Sequence, residues 1–153
     1  MGAIKLQIGM QGDRQFNRVL ITKKNQVEDF RPIWSDIRNF LMITMREQFA
    51  TQGARTASWK PLSRKYAAWK TKNYPGQTIL RLTDRLFRSL TVPGSSDMIY
   101  ESTPREMKFG TKVEYAAKHQ FGVKPVPRRR FLSLTQADRD KIRLIIQKAL
   151  TAN

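Results

Sequence analysis

The sequence predicts an α+β fold in which a small antiparallel sheet packs against a long central helix and a C-terminal helix. Three patterns support this class: alternating polarity near the N-terminus, helical spacing of apolar residues over 32–50 and again near the C-terminus, and two short strand-like runs between them. Separate groups of strands and helices are typical of α+β proteins. A chain of 153 residues is long enough for one core, so we expect a single domain over residues 1–153.

The first predicted element is a strand. Ile4, Leu6 and Ile8 alternate with polar residues, which is the period of a half-buried strand. Gly12-Asp13 predicts a turn after it. Residues 16–21 fit either a short helix or a second strand, and the pattern leaves both open.

A long helix follows to about residue 50. Pro32 suits a first helical turn, where its missing N–H costs little. The apolar residues at three- and four-residue spacing are Ile33, Ile37, Phe40, Leu41, Thr44 and Phe49. Further apolar residues widen this stripe, so we expect contacts on more than one side. The helix then lies either at the centre of the domain or at a subunit interface.

Residues 51–77 predict an extended loop around a short helix, because Gly and Pro interrupt the segment repeatedly. Leu62, Tyr66 and Trp69 are four and three residues apart, so they can share one face of that helix. Long loops in compact domains tend to be functional or disordered, and this one is rich in aromatic residues. We expect it to become ordered against a neighbouring chain.

A second short helix is predicted after Thr83. The Thr83 side chain is a plausible N-cap, with Asp84 favourably placed against the helix dipole. Leu86, Phe87 and Leu90 then line one face.

Two strands joined by a short turn form the predicted hairpin. Met98–Ser102 and Glu106–Phe109 have strand-like composition, and Gly110-Thr111 is expected to turn the chain. Glu114–Phe121 comes next and is interpreted as a further strand-like segment.

The C-terminal helix has the clearest pattern. Thr135 with Asp138 three residues later resembles a capping box. The apolar stripe that follows comprises Ile142, Ile145, Ile146, Ala149 and Leu150.

The net charge is +17, from 29 Lys and Arg against 12 Asp and Glu. Charge of this size points to nucleic acid, an anionic membrane surface or an acidic protein as partner. Two windows contain no acid at all, Gln48–Thr83 and Tyr115–Ala137, although a solvated basic face is the commoner explanation of such a run. No apolar run is long enough for a membrane span, and we expect no membrane association. The chain has no Cys and no signal-peptide pattern, which indicates synthesis in a cytosol.

No arrangement of residues predicts catalysis, a metal or a cofactor. His119 is the single histidine, and no nucleotide-binding, hydrolase or metalloprotease motif is present. On a strand, His119 would share a face with Tyr115 and Ala117, which favours a structural histidine. We therefore expect a protein that is not an enzyme.

Nucleic-acid binding has one candidate surface. Trp59, Tyr66 and Trp69 lie among lysines and arginines, as in a stacking groove for single strands. Leu62, Tyr66 and Trp69, however, have the spacing of a packing stripe on a helix that shows its lysines to water, and we favour that interpretation. Arg128–Arg130 is basic but short for a nucleic-acid tract.

Four blocks, in order, resemble the phage virion morphogenesis family, the Mu-like tail-completion proteins, and more distantly the terminator proteins of other tailed phages. The blocks are Phe49 with Trp59–Ser63, Tyr66 and Lys70; Ile79-Leu80, Leu82-Thr83 and Leu86–Ser89; Tyr115–Ala117 with His119–Gly122; and Pro127, Arg129 and Phe131-Leu132. This chain departs from the family at Asp84, where Gly is usual, at Arg130, where Pro is common, and at Ser133, where Gly is common. We therefore expect a negative φ at residue 84.

The resemblance implies a structural virion protein, a tail terminator that forms a ring, typically of six copies, at the head-proximal end of the tail tube. Its implied partners are the tail tube, neck or connector proteins and possibly the tail sheath, with double-stranded DNA crossing the lumen and assembly in the host cytoplasm. The alternatives are a head-side connector of the same fold and a small basic nucleic-acid-binding protein. A ring needs two different sticky faces, for which the 32–50 helix and the 59–74 loop are candidates.

The residues expected to bind assembly partners are Trp59, Tyr66, Trp69, Arg128, Arg129, Arg130 and Phe131. Most of the positive charge is assigned to acidic protein partners. Among the three arginines, Arg129 is expected to be architectural and the other two to be additions of this chain. Replacing all three is nevertheless expected to leave the fold intact, because surface changes usually cost within about 0.5 kcal/mol.

Overall fold

The computed structural model describes residues 3–9 and 29–151. The predicted turn at Gly12-Asp13 and the segment 16–21 lie outside the described residues. The described elements are β1 (Ile4–Gly9), α1 (Arg31–Ala50), α2 (Arg64–Asn73), α3 (Arg85–Thr91), β2 (Met98–Ser102), β3 (Glu106–Thr111), α4 (Ala116–Phe121) and α5 (Gln136–Thr151). Three antiparallel strands in the order β1-β3-β2 and these helices confirm the α+β class.

The sheet is built around β3, which pairs antiparallel with β1 on one side and β2 on the other. Gly110 lies opposite Lys5 and Ile99, so the predicted turn at Gly110-Thr111 is wrong and the strand continues through both residues. A Cβ atom at Gly110 would overlap the carbonyl oxygen of Ile4. The glycine is therefore needed for close strand pairing, which its sequence pattern alone does not distinguish from a turn.

Helix α1 lies at the centre of the fold, packed against α3, α5, β2 and β3. Its buried side chains cover about half of the helix circumference, at 100° per residue, and include Trp34, whose indole N–H donates to the carbonyl of Thr103 over 2.9 Å. Ile43 is the one large apolar side chain of α1 that is exposed. Helix α1 therefore contacts its own domain on several sides of one half, and its solvent-facing half offers no broad apolar face.

The capping box of α5 is confirmed. The backbone N–H of Asp138 donates to Thr135 Oγ1 over 3.1 Å, and the backbone N–H of Thr135 donates to Asp138 Oδ2 over 2.8 Å. The other carboxylate oxygen of Asp138 accepts from Arg55 Nη2 over 2.6 Å. The cap thus also fixes Arg55, at the start of the loop after α1.

The predicted strand at Glu114–Phe121 is wrong, because Ala116–Phe121 is the helix α4. Ala116, Ala117 and Gln120 are its buried residues, at helical rather than alternating spacing. The Gln120 side chain explains why this segment is a helix and not a strand. Its Nε2 donates to the carbonyl of Leu132, and its Oε1 accepts from the backbone N–H groups of Phe131 and Leu132. This buried amide satisfies an irregular backbone segment that has no strand partner.

Asp84 corrects two further expectations. It occupies the N-cap position of α3 with φ +62°, so Thr83 is not the cap and the predicted negative φ is wrong. Its carboxylate makes no capping bond and instead accepts two hydrogen bonds of 2.8 Å from the Arg81 guanidinium. That hydrogen bonding lowers the pKa of Asp84 and outweighs the opposing effect of burial. Arg81 also lies over the Phe87 ring, 3.9 Å from its centroid.

Aspartate therefore keeps the left-handed backbone that glycine adopts most easily. We predict that Asp84→Gly changes the free energy of unfolding by less than about 1 kcal/mol, because relief of the positive φ offsets the lost ion pair. Asp84→Ala should lower it by about 1–2 kcal/mol, because alanine loses the ion pair and keeps the strain. Thr83→Ala is the matched control and should change it by less than about 0.5 kcal/mol. Urea unfolding measures all three, and a loss at Thr83 equal to that at Asp84→Ala would place the cap at Thr83.

Candidate functional site

The chain from Gly122 to Leu134, which we call the elbow, connects α4 to α5. It opens with a tight turn in which Val123 pairs with Val126 around a cis Lys124-Pro125 bond. Gly122 has φ +75°, and a Cβ there would lie 2.9 Å from the backbone nitrogen of Arg128. The backbone N–H of Arg129 then donates to the carbonyl of His119 over 2.7 Å. The elbow is thus folded back tightly against the end of α4.

The buried side chain of Arg129 holds the elbow to the loop that precedes α2. Its Nε donates to the carbonyl of Lys60 over 2.7 Å, and its Nη2 donates to the carbonyl of Pro61 over 3.0 Å. Arg129 is 6% exposed, which agrees with its expected architectural role. The expectation that all three arginines lie on the surface is wrong, because only Arg128 and Arg130 are exposed.

Trp59 and Phe131 are also interior residues. The Trp59 indole N–H donates to the carbonyl of Arg130 over 2.9 Å, and its ring meets Phe49 edge-on at 5.4 Å between centroids. Phe131 is fully buried, with its ring 6.4 Å from that of Phe49. Of the residues expected to bind partners, Trp59, Arg129 and Phe131 therefore join the loop, the elbow and α1 to one another inside the chain.

Helix α2 presents its aromatic residues to solvent, so the predicted packing stripe is wrong. Tyr66 and Trp69 are 40% and 46% exposed and stack on each other at 5.6 Å, and Tyr74 contacts Trp69 at 5.7 Å. The buried residue of this helix is Lys70, whose Nζ donates to the carbonyl of Thr78 over 2.5 Å. A lysine can bury its long stem if its ammonium finds an acceptor, and Thr78 supplies one.

A groove of about 960 Å³ lies beside this aromatic face. Its walls come from four parts of the chain: residues 61–70, residues 80–86, Tyr115 just before α4 with His119 on that helix, and residues 125–129 of the elbow. Each of the four sequence blocks on which the resemblance rests contributes residues to this concave surface.

Two of the four cations that line the groove pair with acids of the same chain, and the other two donate to backbone carbonyls. Arg81 pairs with Asp84, and Arg85 pairs with Asp97 and Glu114 at 2.9 Å each. Hydrogen bonding to Arg85 lowers the pKa of Asp97, against a smaller opposing effect of burial. The groove therefore combines apolar walls with cations that are already paired or hydrogen-bonded.

His119 contributes a polar but uncharged wall to the groove. Burial, followed by the positive charges of Arg129 and Lys118, lowers its pKa below the usual value, so the ring is neutral at pH 7. Its Nδ1 is buried without a hydrogen-bond partner among the described residues. The ring packs edge-on against Tyr115 at 6.2 Å. This geometry assigns His119 to the groove wall.

The sequence does not predict the burial or exposure of several residues in this region. Lys70 and Gln120 are polar residues whose burial depends on carbonyl and amide groups brought close only by the fold. Phe121 is 66% exposed, the most exposed of the large apolar residues described. The sequence shows its position directly before Gly122, but neither the helix that ends there nor the exposure of the ring.

Among the described residues, no group of three or more His, Cys, Asp or Glu is arranged to hold a metal ion. No helix in the described part of the chain has the length and apolar character needed to cross a membrane.

Comparison with known proteins gives one match. The profile of the phage virion morphogenesis family matches residues 11–151. No curated protein and no solved structure matches the chain.

The position of Arg129 leads to a stability prediction. Arg129→Gln should lower the free energy of unfolding by about 2–3 kcal/mol, because charge-assisted hydrogen bonds are lost in a buried site. Arg128→Gln and Arg130→Gln are matched exposed controls and should each change it by less than about 0.5 kcal/mol. Chemical denaturation of the three variants provides the measurement. If Arg129→Gln is as stable as the controls, the elbow is held by other contacts.

Proposed function

This chain belongs to the phage virion morphogenesis family, so its role lies in the structure or assembly of a phage virion, and we propose that it is the tail-completion protein that closes the head-proximal end of the tail tube as a ring. The observation that carries the proposal is that residues from each of the four sequence blocks line one groove, which has an exposed aromatic face beside it. A surface of this kind on a virion structural protein suits a subunit interface.

We take the occupant of the groove to be a second copy of the chain. Closed rings form through heterologous contacts, in which one face of a subunit meets a different face of the next. The groove with Tyr66 and Trp69 provides the first face. Arg81 and Arg85 of the groove are already paired with acids of the same chain, which reduces the repulsion between two copies that each carry +17.

Phe121 provides the second face. It lies two residues after His119 on α4, so it projects about 200° further around the helix axis than the histidine that lines the groove. Val123, 43% exposed, extends the same tip. An apolar tip on one side of α4 and a groove on the other allow head-to-tail contact, in which the tip of one copy enters the groove of the next.

The ring proposal also assigns partners. The ring would rest on the tail tube, meet neck or connector proteins and possibly the sheath, and let double-stranded DNA cross its lumen. The head-side connector alternative uses the same ring at a different place in the virion.

The exposed stack of Tyr66 and Trp69 among Lys60, Arg64 and Lys65 also favours a second candidate, single-strand nucleic-acid binding. The two candidates differ in one property. A nucleic-acid platform on α2 leaves the oligomeric state unchanged when Tyr66 is replaced, whereas a subunit interface does not.

Two variants test the head-to-tail contact. Phe121→Asp blocks the tip and Tyr66→Asp blocks the groove, so each variant alone should remain monomeric at concentrations where the wild type assembles. An equimolar mixture still has one intact tip and one intact groove, and should therefore form a heterodimer. Native mass spectrometry of the two proteins separately and mixed measures this directly.

Leu144→Asp is the matched control, because Leu144 is 40% exposed on α5, outside the groove and the tip. It should assemble like the wild type. Assembly of both Phe121→Asp and Tyr66→Asp would remove these surfaces from the interface, and a mixture that stays monomeric would argue against head-to-tail pairing.

The place of action is tested on purified tail tubes of the phage that encodes the protein. The wild type should bind one end of each tube and stop its elongation, and Phe121→Asp should do neither, because a subunit that cannot close the ring cannot cap the tube. Electron microscopy of tube ends and tube-length distributions gives the result. Binding at the vertex of tail-free heads, with bare tube ends, would instead establish the connector alternative.

A further inference from the structure

A second concave surface lies on the loop between α1 and α2 and the outer side of the elbow. It has a volume of about 560 Å³, and we call it the arginine pocket because Arg55, Arg128 and Arg130 line it. The hydroxyl-bearing residues Ser58 and Ser133 line it as well. It shares no lining residue with the groove.

Local backbone geometry gathers the arginines. Residues 128–130 are not helical, and alternate residues of an extended chain project to opposite sides. Because Arg129 turns inward to the carbonyls of Lys60 and Pro61, its two neighbours both project outward. Neither neighbour forms an ion pair with a described residue, so no carboxylate in the described ranges offsets their charge.

Arg55 supplies a fixed guanidinium at the other side. Its Nη2 bonds to Asp138 over 2.6 Å and its Nε contacts Glu47 at 3.2 Å. Its remaining nitrogen, Nη1, is buried and has no hydrogen-bond partner among the described residues. A held guanidinium with an unused donor beside two unpaired arginines is arranged to receive an anion with oxygen acceptors.

A second copy of this chain is a poor source of that anion. Of the ten Asp and Glu residues in the described ranges, nine already pair with a Lys or Arg of the same chain, and Asp36 is the exception. The described surface therefore presents no cluster of unpaired acids that could enter the pocket of a neighbour.

The remaining lining favours protein over nucleic acid. Trp59, Leu134 and Ala57 add apolar surface next to the cations, which suits a carboxylate beside an apolar side chain. The Trp59 ring is 6% exposed and cannot stack on a base. We propose that the arginine pocket binds an acidic segment of a different protein, through carboxylates received by Arg55, Arg128 and Arg130.

The test uses a fluorescein-labelled Glu-rich peptide with one Leu, titrated with the full-length protein at fixed ionic strength and followed by fluorescence anisotropy. The double variant Arg128→Gln/Arg130→Gln should weaken binding by about 10-fold or more, because two charge-assisted contacts are lost. The control Arg64→Gln/Lys65→Gln removes the same charge from exposed positions on α2, outside the pocket, and should weaken it by less than about 2-fold. A peptide with Gln in place of Glu should not bind.

Equal weakening by the two double variants would overturn the pocket, because it would show general attraction to a basic surface. Failure of the wild type to bind the peptide would overturn it too. A duplex DNA oligonucleotide at the same ionic strength is the third arm, and a larger loss of DNA binding than of peptide binding in Arg128→Gln/Arg130→Gln would assign the pocket to nucleic acid instead. All of these measurements report binding of a ligand to the pocket and not assembly of the chain. They can therefore contradict the pocket while the ring proposal still holds.

Discussion

The buried guanidinium of Arg129 is the contact on which the arrangement of both concave surfaces depends. It hydrogen-bonds the elbow to the carbonyls of residues 60 and 61 in the loop before α2. Neither the elbow nor this loop is a helix or strand with regular backbone hydrogen bonds of its own. Trp59 and Gln120 reinforce the same junction by bonding to elbow backbone groups. With the elbow fixed in this way, Arg129 lines the groove, and its two neighbours line the arginine pocket on the opposite side.

Charge is distributed between these surfaces unequally. Most of the described Asp and Glu residues pair with an Arg or Lys of the same chain, and the ion pairs of Arg81 and Arg85 lie along the groove. The excess of positive charge therefore falls on other surfaces, of which the arginine pocket is a recessed one. Exposed ion pairs of this kind contribute little stability, so their main physical effect here is on which partner each surface can accept.

The sequence predicts the regular elements well because periodicity reports on long helices and paired strands. The stripe of α1, the capping box of Thr135 and Asp138, and the hairpin strands all have local signatures. Helix α4 has six residues, too few for its period to be told from that of a strand, and its conformation is decided by the bonds of Gln120 to residues twelve positions away.

The sequence predicts the geometry of the candidate site less well. The spacing of the aromatic residues on α2 shows that they share a face, but not whether that face is buried or exposed. In the fold Lys70 is buried and Tyr66 is exposed. The αL backbone of Asp84 is the one that glycine adopts most easily, and the Arg81 guanidinium holds the aspartate carboxylate in place there. The order of the four blocks nevertheless indicated the family correctly.

The proposed ring and the proposed ligand of the arginine pocket would be linked by electrostatics. Subunits of charge +17 brought into a closed ring would accumulate positive potential, and that self-repulsion would oppose assembly. An acidic segment bound in each pocket would lower the charge of every subunit, and a ligand that binds the assembled state more tightly shifts the equilibrium toward it. In the proposed arrangement the groove would supply the adhesion between copies, and the pocket would make adhesion most favourable where the acidic partner is present. A protein in the proposed role would need that dependence, because its ring has to close at the tube end and not elsewhere.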